Sequence, residues 1–212
     1  MHHHLTLLLT LLAPSTTHAI NTLRFHNHCP HALYFWAVPP DAEEADWKHT
    51  IVPPNGGMAH HTIPASAANV SGTSVKIRDL PHYVHAPAGI LQAEYNLDLA
   101  AGKTWYDLSL VDCNSRVGPD YPMYCPFLQG GIKMYVEGNQ GKGSVAEGCM
   151  VAECVTGEDC TNTYLVAGSW KDEPSGSCEA GRDVVLEVCS VTRDVERSAW
   201  KDGDDEVVEY GV

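Results

Sequence analysis

The chain has 212 residues, a formal net charge of −14 at pH 7 and eight cysteines. An acidic balance of this size argues against a nucleic-acid partner, because binding phosphate needs concentrated positive charge, and it favours neutral ligands such as sugars, or cations. An even cysteine number behind an export signal predicts four disulfides formed in an oxidising compartment, with many connectivities open.

The export signal is the opening itself. Met1 to His4 is followed by the short apolar run from Leu5 to Ala13 and then by small residues up to Thr17-His18-Ala19. This reads as a secretory signal peptide over residues 1–19, too short to span a bilayer, although histidines stand where lysine or arginine is usual. The later chain has no long apolar run, and its end lacks the hydrophobic tail of a lipid-anchor signal, so the expectation is a freely secreted, extracellular protein without membrane insertion. A copper oxygenase would need an amino-terminal histidine, which cleavage after Thr17 would expose as His18; the predicted cleavage after Ala19 removes it.

Residues 22–38 read as two strands that break at Cys29-Pro30. His26 and His28 share a face with His31 nearby, but no carboxylate or cysteine beside them completes a metal site, so none is assigned. Pro39 to Glu44 opens a loop with room for a short helix, and Val52-Pro53-Pro54-Asn55-Gly56-Gly57 is a turn. Asn69-Val70-Ser71 is the one glycosylation sequon. Ser74 to Arg78 alternates as a strand, and a histidine-bearing loop runs from Pro81 to Pro87.

Ile90 to Asn114 reads as a hairpin. Gln92, Glu94 and Asn96 alternate with Ala93, Tyr95 and Leu97, and Trp105, Asp107 and Ser109 alternate with Tyr106, Leu108 and Leu110. A turn at Leu99-Ala100-Ala101-Gly102 pairs Tyr95 with Tyr106, Ala93 with Leu108 and Glu94 with Asp107. A slip of one residue would mix the two faces. Directly opposed carboxylates destabilise each other, so this pair invites a proton, a cation, an arginine or a ligand hydroxyl. The plainer alternative is a solvated acidic face.

From Arg116 to Cys178 glycine, proline and cysteine are frequent, and the segment is expected to be held by bridges rather than by a deep core, with one strand over Gly131 to Val136. Zinc is not assigned to Cys149, Cys154 and Cys160, whose spacing lacks a tight paired knuckle. Arg182 to Cys189 returns to strand alternation. Beyond Ser190 charge dominates and an acidic, disordered tail is predicted over 191–212. No internal repeat, phosphate loop or Gly-x-Ser-x-Gly elbow is present.

Several stretches together resemble the thaumatin-like proteins. Phe25-His26-Asn27-His28-Cys29-Pro30 and the aromatic strand ending in Trp36 resemble the family's opening strand pair; Ala93-Glu94-Tyr95 is similar to its Ala-Glu-Phe, and Tyr106-Asp107-Leu108-Ser109-Leu110-Val111-Asp112 to its Tyr-Asp-Val-Ser-Leu-Val-Asp. Within the family the nearer likeness is to the small fungal branch, the antigenic yeast-phase-specific secreted proteins. The resemblance implies an all-β fold, a β-sandwich with a reduced disulfide-rich lobe, with the domain over 20–190 and the lobe over about 114–180. It also implies a bridge between Cys29 and Cys189, worth about 4–5 kcal/mol in the chain-entropy model, with Cys113, Cys125, Cys149, Cys154, Cys160 and Cys178 paired among themselves.

The family's acidic cleft of one arginine, one glutamate and three aspartates carries over to Arg78, Glu94, Asp107, Asp112 and Asp172. Asp112 lies an odd number of residues from Asp107 and needs a strand end or a bulge to join them. Some members bind or hydrolyse β-1,3-glucan, so this chain is expected to be a monomer without cofactor that binds polysaccharide or a host surface through the cleft and the nearby Trp105, Tyr95 or Tyr106. The alternatives are a weak endo-β-1,3-glucanase with Glu94 as acid and Asp107 as its partner, and a structural antigen whose carboxylates only pair with Arg78. The change from the family's Gly-Phe-Asn-Pro to Cys113-Asn114-Ser115-Arg116 and the small lobe predict a shallow cleft and argue against catalysis.

Overall fold

A computed structural model describes residues 21–40, 48–66, 72–83, 88–114, 116–140, 143–155, 159–168 and 171–191. The signal peptide, the expected helix near Glu44, the sequon at Asn69 and the tail beyond 191 lie outside the described residues.

Two six-stranded sheets face each other. Along the chain the strands are β1 (Thr22–Asn27), β2 (Leu33–Val38), β3 (Thr50–Val52), β4 (Gly57–Thr62), β5 (Thr73–Arg78), β6 (Ile90–Asp98), β7 (Lys103–Asp112), β8 (Ile132–Val136), β9 (Ala152–Cys154), β10 (Cys160–Thr161), β11 (Gly176–Glu179) and β12 (Val184–Val188). The first sheet has the order β10-β9-β8-β12-β1-β4, the second β11-β7-β6-β5-β2-β3. Among the described strands, each strand-to-strand ladder is antiparallel except β1 with β12, where the first and last of these strands run side by side.

Alternation puts one apolar face of each sheet inward. Leu23 and Phe25 of β1, Met134 and Val136 of β8 and Leu186 of β12 meet Phe35, Ile77, Ala93, Tyr95, Tyr106 and Leu108 of the second sheet in one buried core, with the rings of Phe25 and Phe35 6.0 Å apart across it. The cysteine-rich segment contributes more than the sequence predicts: β8 is an internal strand, and Phe127, Leu128 and Ala152 are fully buried. A smaller cluster of Trp36, Tyr83, Ala88 and Ile90 covers part of the outer face of the second sheet.

The four disulfides join Cys29 to Cys189, Cys113 to Cys125, Cys149 to Cys178 and Cys154 to Cys160. The Asn-x-Cys motif acts as a clamp. The buried Asn27 amide donates to the carbonyls of His31 and Val52 and accepts from the Cys29 N–H, so it satisfies the backbone where β1 leaves the sheet. At the turn before β4, Asn55 and Gly56 adopt positive φ, and Gly57 is required because a Cβ there would collide with the Pro53 carbonyl.

Candidate functional site

The hairpin has the mirrored register. Tyr95 pairs with Tyr106, Ala93 with Leu108 and Glu94 with Asp107, and the turn over 99–102 closes with Gly102 at φ 64° and Asp98 accepting from the Ala101 N–H. Since Ala93, Tyr95, Tyr106 and Leu108 fill the core, Glu94, Asp107 and Trp105 stand on the outer face of the second sheet.

A wall for that face comes from the cysteine-rich segment. Tyr164 docks beside β7, donating its N–H to the Leu108 carbonyl and accepting from Leu110, and β11 continues along the same edge, placing Ser177 opposite Trp105. The chain between them carries Glu173 towards Asp107. The result is a pocket of about 300 Å³ lined by Glu94, Asn96, Trp105, Asp107, Tyr164, Glu173 and Ser175 among others. Trp105 is 46% exposed and offers its ring to a ligand.

Two neighbouring carboxylates act on Asp107. Burial first, then the charge and hydrogen bond of Glu94 and the charge of Glu173, push the Asp107 carboxyl up to about 7. The raised member of the pair is Asp107, whereas the sequence reading gives the acid role to Glu94. Oδ1 of Asp107 is buried with no hydrogen-bond partner. The Tyr164 hydroxyl, which donates to Glu173 at 3.4 Å, is also raised, by burial and by the charges of Asp107 and Glu173.

The five residues of the expected cleft do not all meet. Asp112 reaches the Glu94 face through a bulge: Gln92 pairs with Ser109 but Ile90 with Asp112, so β7 carries one extra residue, and the Gln92 amide donates to Asp112 at 3.1 Å. Burial raises the Asp112 carboxyl against the opposing pull of Lys76. It lines a separate depression with Arg116, Leu165 and Val166. Arg78 is not in the Glu94 pocket. Ser74, not Arg78, stands across from Glu94, and Arg78, four residues on and so about 13 Å along the strand, donates to the His82 carbonyl at 2.6 Å.

Asp172 is exposed and outside the pocket, and its neighbour Glu173 lines it. Tyr95 and Tyr106 border the pocket but offer it no aromatic face, since their rings are buried in the core with hydroxyls bonded to His61 and to the Met150 carbonyl; Tyr164 lines it beside Trp105. The cysteine-flanked segment around Tyr164 belongs to the family resemblance, but nothing in local sequence places Tyr164 or Glu173 in the site, because Tyr164 reaches it by bridging to Ser109 and Glu173 by lying just before β11.

On the opposite sheet, the parallel register of β1 and β12 sets Glu187 beside His26. The carboxylate missing from the sequence reading of His26 and His28 is thus supplied, and ligand atoms of all three lie within 4.8 Å of one another.

No curated protein matches the chain in sequence. Among solved structures it is similar to the protein elicitor MoHrip2 from Magnaporthe oryzae, with 16% identity, 80% of this chain and 98% of that one covered, and a TM-score of 0.52. It is also similar to the thaumatin-like xylanase inhibitor TLXI, with 12% identity, 79% and 98% covered, and a TM-score of 0.42. The fold is the all-β, thaumatin-like sandwich. The sequence model of one family, Bys1, matches residues 10–190, and the chain belongs to that Blastomyces yeast-phase-specific protein family.

Proposed function

We propose that this is a secreted, monomeric, non-enzymatic member of the small fungal thaumatin-like branch that binds cell-wall or host-surface carbohydrate, β-1,3-glucan in the first place, in the pocket between Glu94, Asp107 and Glu173. The observation that carries the reading is the unpartnered, buried Oδ1 of Asp107 beside the exposed ring of Trp105. Sugars are held by polar groups that fix hydroxyls and by an aromatic face that takes the apolar side of the ring. A carboxyl protonated near neutrality both donates to and accepts from a hydroxyl. Four disulfides agree with an oxidising compartment.

The same pair favours binding over hydrolysis. Glycosidases that retain configuration hold their two carboxyls about 5–5.5 Å apart, around the scissile bond. Glu94 and Asp107 are instead directly opposed in register, the arrangement in which Cβ atoms stand about 4.5–5.5 Å apart, so the two carboxyls act on each other rather than flanking a bond from opposite sides. The endo-β-1,3-glucanase alternative keeps one support, the raised Asp107 carboxyl next to an acidic partner, and would use Asp107 as the acid.

The test is retention of the mature, oxidised protein on insoluble β-1,3-glucan at low and moderate salt. Retention lost in Glu94→Gln supports the reading; unretarded passage under both conditions overturns it. Reducing sugar released from laminarin, and abolished in Asp107→Asn, would replace it with the glucanase.

A further inference from the structure

We infer that His26, His28 and Glu187 form a binding site for a borderline divalent transition-metal ion, with zinc as its type, on the outer face of the first sheet. The placement follows from the backbone. Phe25 and Asn27 of β1 and Leu186 and Val188 of β12 point inward and are buried, so His26 and Glu187, paired in register, point out together. The His28 N–H donates to the Val188 carbonyl at 2.9 Å, which carries the parallel ladder one residue beyond the strand and sets the second imidazole on the same face. The two imidazole rings are 6.2 Å apart between centroids.

Two imidazoles and one carboxylate are the ligand set of open zinc sites, in which a fourth position is left to water or a ligand. Zinc–nitrogen bonds of about 2.0–2.1 Å put the ligand atoms of a tetrahedral ion about 3.4 Å apart. The three atoms here lie within 4.8 Å, and side-chain torsions close that difference without moving the sheet. The carboxylate is already oriented: the Tyr135 hydroxyl donates to Glu187 Oε1 at 3.3 Å, the kind of support that outer-shell partners give to metal ligands. Lys133, across from Glu187 on β8, pairs with Glu153 at 3.9 Å, which leaves its charge shared. The nitrogen ligands disfavour calcium and magnesium, which take oxygen. A site of this kind joins the first strand to the last of the described strands, next to the Cys29–Cys189 bridge, which spans 160 residues of sequence.

The experiment is calorimetric titration of the mature, disulfide-bonded protein with zinc chloride near neutral pH, repeated with calcium and magnesium. Saturable zinc binding in the micromolar range or tighter is expected, with no heat from the other two ions. Glu187→Gln, which keeps the shape of the side chain and therefore the sheet, should weaken zinc binding roughly tenfold or more, and His26→Ala should do the same. The imidazole signals of His26 and His28 should shift together on adding zinc in a nitrogen-resolved NMR spectrum. The absence of zinc binding overturns the inference, as does an isotherm that Glu187→Gln leaves unchanged, since that would place the bound zinc on other histidines. Circular dichroism of His26→Ala separates loss of ligand from loss of fold, and if that variant is unfolded the Glu187→Gln titration and the NMR shifts decide.

Discussion

Glu94 and Asp107 stand directly opposite each other on β6 and β7, and the carboxyl of the second is pushed up to about 7. Asp107 would not behave this way alone. Burial raises Asp107, Glu94 adds a like charge and a hydrogen bond, and Glu173 adds a further charge from a segment more than sixty residues downstream.

That arrangement makes stability depend on pH in a direction opposite to an ordinary ion-paired aspartate. Between the unfolded aspartate value near 4 and the folded value of about 7, the folded state binds a proton that the unfolded state does not, so stability falls as pH rises through this window and levels off above it. After allowance for partial solvent screening the loss is on the order of 2 kcal/mol. Asp107→Asn should flatten the slope and be more stable than the parent protein at about pH 8. Urea midpoints measured across the window check this, and a parent protein whose midpoint rises over the same range would contradict it.

Trp105 is exposed enough to lose without disturbing the core. Trp105→Ala should weaken retention on β-1,3-glucan roughly tenfold while changing unfolding stability by less than about 1 kcal/mol. Equal retention of the two proteins would remove the aromatic platform from the binding site.

Tyr106 ties the hairpin to the cysteine-rich segment, because its buried hydroxyl donates to the Met150 carbonyl at 2.6 Å. Tyr106→Phe leaves that carbonyl without its donor at unchanged ring packing, and should cost about 1–2 kcal/mol in denaturant unfolding. A variant as stable as the parent would show that the hydroxyl adds nothing there.

Much of the second sheet was legible in the residues. Alternation over Gln92 to Leu97 and Trp105 to Leu110, joined by a four-residue turn, leaves only one register that keeps polar and apolar faces apart, and the structure has that register. The need for a bulge before Asp112 could also be read, since parity alone puts Asp112 on the wrong face. The strands over 50–52, 57–62 and 176–179 were not legible, being short and without clear alternation. Arg78 was misplaced because a family motif gives residue type and order, whereas its distance from Glu94 depends on which residue of β5 lies opposite.

From sequence alone, then, the acidic pair on the hairpin followed, because its register is set by side-chain period and turn length within about twenty-five residues of chain. Tertiary structure alone decided that Glu173 and Tyr164 would close the pocket, that Asp172 and Arg78 would lie outside it, and that Glu187 would come to lie beside His26. These depend on pairings between strands far apart in the chain, and the hydrophobic core selects those pairings through faces and lengths that no local pattern encodes.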